Sequence, residues 1–354
     1  MKINLTILDS DKEYLRRLVE KLSVDYSDSL EIHSYSEVEN IYATLEENGS
    51  AVFLVGDNCP VEPERLPQNC CLAFLTATPD KERLKDYANV GKFQKPELIY
   101  KQVLALYAEF GGRSVGGGIN GGQAAILAFQ PVSGGSGSST VAAAGAVYFA
   151  TKGKKVLYLN LEKTGSAESF FHGPGHYTMS DLIYTLKSSK GNLAIKLESC
   201  LREDPRGVCF YAPSPVALDM FELSSQDSIR LVEAAARSGG YDYIILDLDF
   251  SIRAEMLEIL RLANAVQWVG TGDSISNGKL IRAYQALKIL EEKQRAPLTA
   301  RLTVIFNQLH TNSTTVLENE VRNYGIPKVS LKSGNKEQIL EFIASMEMFD
   351  ELIH

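Results

Sequence analysis

The stretch AAILAFQPVSGGSGSSTVAAAGAVYFATK, residues 124–152, decides the fold. Residues 124–132 form a short apolar run that reads as a buried strand. It runs straight into SGGSGSST, residues 133–140, and then into an Ala-rich helix over 141–152, closed by Gly153. Strand, glycine loop and helix in that order form the setting of a phosphate loop. Gly134, Gly135 and Gly137 let the backbone curl so that several N–H groups point inward. Those donors and the helix N-terminus favour a polyphosphate anion. Ser133, Ser136 and Ser138 complete the loop; Ser139 is the candidate hydroxyl ligand to Mg²⁺, and Thr140 a further phosphate contact.

Four later segments fit the same design. Residues 156–159 form a strand that ends at Asn160 and Glu162. YDYIILDLDF, residues 241–250, is an apolar strand ending at Asp247, with Asp249 two residues on. LTVIFNQLH, residues 302–310, places Asn307 at a strand end, and YGIPKVSL, 324–331, carries Pro327.

Together these segments resemble the deviant Walker ATPases of the ParA/MinD family. That family's loop is K-G-G-x-G-K-[ST]-[ST], and six of its eight positions match here. The two that fail are both lysines, replaced by Ser133 and Ser138. The resemblance implies ATP and Mg²⁺ as cofactors. Asp247 would hold a Mg²⁺-bound water, and Glu162 would stand near the attacking water. Asn307, with Pro327 nearby, would read adenine through its amide. A lysine at the β/γ-phosphates neutralises charge that shifts during transfer. Its loss predicts that ATP is bound but hydrolysed very slowly, with Lys163 or Lys279 as candidate substitutes. The family sandwiches ATP between two protomers, so a homodimer clamped by ATP is expected.

The chain ahead of this region alternates strands and helices. INLTIL (3–8) reads as a strand ending near Asp9 and Asp11, followed by a helix from Lys12 to about Ser23. LEIHSY (30–35), AVFLVGD (51–57), CLAFLT (71–76) and KFQKP (92–96) read as further strands, with a last helix over 97–109. This spacing implies a parallel doubly wound sheet. The order of Asp9 and Asp11, then Thr76, then Lys95 before Pro96 resembles the receiver domain of response regulators. In that family strand-end acids bind Mg²⁺, an Asp after the third strand accepts phosphate, and the Thr and Lys contact the phosphoryl group. The acceptor lies four residues before a proline; counting back from Pro60 lands on Gly56, with Asp57 adjacent. A one-residue shift at a strand end turns the side chain elsewhere. The expectation is a degenerate receiver site (Asp9, Asp11, Asp57, Thr76, Lys95) that is not phosphorylated and serves as a docking surface.

The expected fold class is therefore α/β, with two doubly wound domains. Residues 1–110 form a receiver-like, flavodoxin-like domain. Residues 111–123 form a Gly-rich linker, with seven glycines in the twelve residues 111–122. Residues 124–354 form a P-loop NTPase domain of ParA/MinD type. The 354-residue length suits two domains of roughly 150 residues or more. Charge follows the same division: residues 1–110 hold 12 basic and 19 acidic residues (−7), and the rest 24 and 25 (−1). The total of −8 argues against coating nucleic acid or anionic membrane. Five cysteines without a C-x-x-C pair read as reduced thiols rather than a disulfide framework or zinc site. The start reads as a strand rather than a signal peptide, and no apolar run is long enough to span a bilayer, so a cytoplasmic location is expected. An apolar stripe over 335–353 has an acidic opposite face, which favours packing on the domain over membrane insertion.

A receiver-like module ahead of a ParA/MinD-type domain resembles the TadZ/CpaE proteins of tight-adherence (Flp-type) pilus assembly. That resemblance implies a hub at the cell pole that recruits pilus and secretion components through the receiver. Two rivals use the same motifs. An active ParA-like partitioning ATPase would act on DNA, against which the missing lysines and net charge count. A response regulator would control the ATPase domain by phosphorylation, against which Gly56 counts.

Overall fold

The computed structural model describes residues 2–38, 41–67, 70–77, 83–84, 87–109, 124–188, 192–238, 240–294, 297–328 and 336–353. The predicted linker 111–123 lies outside the described residues. The chain groups into two compact units. One comprises Met1–Gly118, Gly175–Tyr177 and Tyr184–Cys200; the other comprises Ile119–Pro174, Thr178–Ile183 and Leu201–His354.

In the first unit β1 (Ile3–Leu8), β2 (Leu30–Tyr35), β3 (Val52–Gly56), β4 (Cys71–Thr76), β5 (Arg83–Leu84) and β6 (Tyr87–Gly91) form one sheet in the order β2-β1-β3-β4-β6-β5. All pairings are parallel except β5 with β6. The helices are α1 (Lys12–Asp25), α2 (Ile41–Glu47) and α3 (Pro96–Glu109). Side-chain alternation splits the core between the two faces. Ile3, Leu5, Ile7, Val52 and Leu54 enter one apolar cluster together with α1 and α3. Leu8, Phe53 and Val55 enter the other with Ile41 and Leu45 of α2. This two-sided burial is what a doubly wound sheet requires. One expectation is corrected here. Residues 92–95 are not the last strand; that strand is Tyr87–Gly91, and 92–95 form the turn that leads into Pro96.

The second unit begins with β7 (Ala125–Pro131), α4 (Ser138–Thr151), β8 (Val156–Asn160) and the first half of α5 (Met179–Ser188), whose second half, from Tyr184, groups with the first unit. Helix α6 (Leu193–Cys200) comes next in the chain but belongs to the first unit, where Tyr100 of α3 donates to Glu198 at 2.9 Å. The chain continues with β9 (Leu201–Glu203), β10 (Val208–Tyr211), α7 (Leu218–Glu222), α8 (Ser225–Arg237), β11 (Tyr243–Asp247), α9 (Ala254–Leu262), β12 (Ala265–Gly270), α10 (Ser274–Gln294), β13 (Leu302–Leu309), β14 (Arg322–Pro327) and α11 (Lys336–Ala344). The sheet order is β14-β13-β12-β7-β11-β8-β10-β9, with only the β9–β10 pairing antiparallel. The short β9–β10 extension has no clear apolar signal in the sequence.

Helix α4 is apolar all round and correspondingly buried from Val141 to Phe149. Its C-terminal neighbour fits closely: a Cβ at Gly145 would lie 3.0 Å from Phe349, which is fully buried. With Leu340, Ile343 and Leu352, Phe349 carries the apolar stripe of 335–353 into this core, against α4. No helix among the described residues is long and apolar enough to cross a membrane.

Candidate nucleotide site

The phosphate loop joins the end of β7 to α4. Gly135 (φ +75°) and Gly137 (φ +78°) take the left-handed conformation that side-chain-bearing residues resist, and Gly137 is the N-cap of α4. A Cβ at Gly134 or Gly135 would meet nothing within 4 Å, so open space lies beside the loop. At Gly137 it would lie only 2.5 Å from Asn307 Nδ2. Asn307 explains that contact. Its Nδ2 donates to the Ser136 carbonyl at 2.8 Å, and its Oδ1 accepts from the Gln308 N–H at 2.9 Å. The structure thus engages the amide expected to read adenine in holding the loop, and Asn307 is buried.

The other predicted residues gather at the adjacent strand ends. Ser139 Oγ donates to Glu162 Oε2 at 3.2 Å. Asn160 Nδ2 donates to Asp247 Oδ2 at 2.9 Å and to Glu162 Oε2 at 3.4 Å. Tyr158, which the sequence did not single out, donates its hydroxyl to Asp247 Oδ2 at 2.6 Å. Parallel pairing of β8 with β11 sets Asn160 opposite Asp247, which is why these groups meet. Asp247 is fully buried. Burial, and then the Glu162 charge, push its pKa up to about 7, against the pull of the Tyr158 and Asn160 hydrogen bonds. Burial likewise pushes Tyr158 far above the ordinary tyrosine range.

Two cavities flank Thr140. One, of about 300 Å³, is lined by Ser139, Thr140, Asn160, Glu162 and Lys336, among others. The second, of about 250 Å³, includes Gly137, Thr140, Asn307, Pro327 and Lys328. Ser136 Oγ, Ser138 Oγ and Asp247 Oδ1 are buried with no partner among the described residues. Such orphaned atoms are expensive unless something completes them. Loop amides, orphaned hydroxyls and an orphaned carboxylate oxygen fit a phosphate chain with its cation. No cluster of three or more His, Cys, Asp or Glu among the described residues could hold a metal alone. A Mg²⁺ here would share oxygen ligands with phosphate, as it commonly does.

Of the two lysines expected to substitute, Lys163 is engaged by backbone carbonyls. Lys163 Nζ donates to the Met220 and Leu223 carbonyls at 2.6 and 3.1 Å, and burial lowers its pKa. Lys279 is exposed on α10. Ser133 bonds Ser276 Oγ at 3.1 Å.

In the first unit the predicted receiver residues take separate places. Asp9 is buried, and its partner is Lys92 at 2.7 Å rather than Lys95, which is exposed. Lys92 follows directly after β6, so the strand end delivers it to Asp9, whereas Lys95 immediately precedes α3. Asp11 caps α1, accepting from the Glu13 and Tyr14 N–H groups at 3.1 and 3.0 Å. Thr76 donates to Asn89 at 2.7 Å. Asp57 is exposed, while Gly56 occupies the strand end beside Asp9, where a Cβ would come within 2.9 Å of Asp9 Oδ2.

Comparison with protein families matches residues 1–108 to the model described as TadZ-like, receiver domain. Comparison with curated proteins returns no match. Among solved structures, a ParA family ATPase from Chlorobium tepidum is similar with a TM-score of 0.50 at 20% identity, covering 66% of this chain and 99% of its own. A plasmid partition protein from Borrelia burgdorferi has a TM-score of 0.47 at 17% identity, over 65% of this chain and 100% of its own. The septum site-determining protein MinD from Pyrococcus horikoshii, complexed with Mg-ADP, has a TM-score of 0.46 at 16% identity, over 62% and 94%. The chain is thus a two-part α/β protein, a receiver-like module with a P-loop NTPase fold. Residues 1–108 match the TadZ-like receiver domain model, and the second unit has the fold of the ParA family ATPases.

Proposed function

We propose that this protein is an ATP-dependent dimeric localisation hub for tight-adherence (Flp-type) pilus assembly, binding Mg-ATP and hydrolysing it very slowly. The observation that carries the reading is a complete phosphate cradle without a lysine: Gly134, Gly135 and the orphaned Ser136 and Ser138 hydroxyls supply the binding groups. The TadZ-like match over residues 1–108 supports the pilus assignment, with recruitment of assembly proteins through the receiver. Residues 1–110, 111–123 and 124–354 would serve as receiver, tether and nucleotide domain.

Bound Mg-ATP supplies a polyphosphate with a labile terminal phosphoryl group. Loop N–H groups would hold the phosphates, and Ser139 and, through a water, Asp247 would hold the cation. Glu162 can orient and accept a proton from a water. No loop lysine is present to neutralise the charge that moves to the leaving oxygen. Losing one preorganised electrostatic group costs about 10²–10³ in rate, whereas the amides still bind the ground state. Slow hydrolysis would make ATP a lasting dimer clamp.

Sedimentation with and without Mg-ATP tests the clamp: nucleotide should convert monomer to dimer, and an unchanged monomer would refute it. A kcat on the order of 1 s⁻¹ would refute slow hydrolysis. Imaging a fluorescent fusion separates the hub from the partitioning ATPase. A polar focus lost on deleting the receiver supports the hub, and nucleoid-wide oscillation supports the rival.

A further inference from the structure

The chemistry of the phosphate site leaves one charge unaccounted for. The loop carries no cation, and two acids stand near it: Glu162, which lines the cavity beside Ser139, and the buried Asp247. A triphosphate brought there would face hydroxyls, amides and carboxylates. The field must be compensated by something other than the loop, because a divalent cation only partly neutralises the phosphate chain.

The cavity that holds Ser139, Thr140 and Glu162 has one lysine in its lining, Lys336. Lys336 is the first residue of α11, nearly two hundred residues after the loop, and α11 packs on α4. The N-termini of α4 and α11 therefore converge on one cavity, through Ser139 and Thr140 from the first and Lys336 from the second. Lys336 is exposed and has no acidic partner among the described residues. A lysine in the first turn of a helix is unfavourable against the macrodipole unless an anion faces it. The other nearby lysines are committed or differently placed: Lys163 to two carbonyls, and Lys328 in the second cavity with Asn307 and Pro327.

We infer that Lys336 is the phosphate-binding cation of this site, taking over from the C-terminal helix the charge that the loop has lost. The inference rests on the nucleotide reading above and adds which residue binds the phosphates. An ammonium on a flexible four-carbon stem reaches phosphate oxygen as a point charge. Coming from α11 rather than from the loop, it would add charge for binding without restoring the lysine that the loop lacks. That combination keeps affinity while hydrolysis stays slow.

The test is a titration of the full chain with Mg-ATP by calorimetry, at low and high salt, for wild type, Lys336→Ala, Lys336→Arg and Lys328→Ala. Lys336→Ala should weaken binding about tenfold (about 1.4 kcal/mol). Lys336→Arg should restore most of it, and the deficit should shrink at high salt as screening removes the contribution. Lys328→Ala should lose less than Lys336→Ala. Melting temperatures without nucleotide should not fall in any variant, since Lys336 is exposed and its charge opposes the helix dipole. Equal affinities of wild type and Lys336→Ala, or a loss that arginine does not restore, would overturn the assignment while leaving the nucleotide reading intact. A wild type that takes up no ATP would overturn the nucleotide reading, and this inference with it.

Discussion

The Lys92 ammonium lies 2.7 Å from Asp9 Oδ2, and both side chains are almost wholly buried. Asp9 also accepts the Asp11 N–H at 2.9 Å, and the Lys92 carbonyl accepts the Tyr14 hydroxyl at 2.8 Å. Burial, and then the Asp9 and Asp11 charges, raise the Tyr14 pKa. The pair therefore ties the ends of β1 and β6 to α1. Removing one partner of a buried pair strands the other charge and typically costs about 3–5 kcal/mol. Lys92→Met should lower the unfolding free energy of the receiver unit, from the denaturant midpoint and slope, by an amount in that range, whereas Lys95→Met should change it little. Equal effects would contradict the assignment of Lys92.

Acetyl phosphate should leave the receiver unmodified. The strand-end position is Gly56, Asp57 is exposed, and Asp9 is held by Lys92. Intact mass should show no adduct of about 80 Da, the mass of one phosphoryl group. An adduct lost in Asp57→Asn would show that the shifted acid works. Gly56→Asp should not restore an acceptor, because its Cβ would lie 2.9 Å from Asp9 Oδ2 and add a like charge. It should destabilise the unit instead.

Asp247 gives a pH dependence with a definite sign. Its folded pKa, about 7, lies above the unfolded value near 3.8. Between those values the folded state holds a proton that the unfolded chain releases. The contribution to stability is thus complete below about pH 4 and is lost as pH rises through about 7, on the order of a few kcal/mol. Asp247→Asn keeps an acceptor for Tyr158 and Asn160 and removes the titrating group. Melting curves of the nucleotide-free protein from pH 5 to 8 should fall more steeply for wild type than for the variant. Parallel curves would refute the burial argument.

Gly137 and Asn307 form a second tight relationship. A side chain at 137 meets both a left-handed backbone and Nδ2 at 2.5 Å. Gly137→Ala should therefore push Asn307 from the Ser136 carbonyl and distort the loop, costing about 1–3 kcal/mol and weakening ATP binding. Asn307→Ala should weaken binding too, through a loosened loop, and should do so similarly for ATP and GTP. Selective loss of ATP would instead return Asn307 to the role of adenine reader.

How far the sequence carries depends on what sets each position. Gly134, Gly135, Gly137, Ser139 and Asp247 are legible because local backbone demands and strand ends fix them. Lys92 is not, because which lysine meets Asp9 depends on where β6 stops, and the Lys-Pro pair at 95–96 gives the stronger local signal. The engagement of Asn307 with the loop and the placement of Lys336 follow from packing across the sheet and against α4. No local pattern encodes either one.

Putting a lysine back into the loop separates the causes of slow hydrolysis. Ser138 is buried in the first turn of α4, with its Oγ unpartnered, so replacing it breaks no hydrogen bond. Space is open beside Gly134 and Gly135, over which a lysine stem can extend toward the phosphates. Ser139, Glu162 and Asp247 already stand where a cation and a water would be handled. If the missing charge limits the rate, Ser138→Lys should raise kcat toward the 10²–10³ that one such group supplies, by at least about tenfold. Ser133→Lys should do less, because it sacrifices the hydrogen bond to Ser276. Faster turnover should also shorten the life of an ATP-clamped dimer, so sedimentation during turnover should show monomer returning sooner. Tighter ATP binding by Ser138→Lys with no gain in kcat would place the limit at Glu162, whose carboxylate is already shared with Ser139 and Asn160.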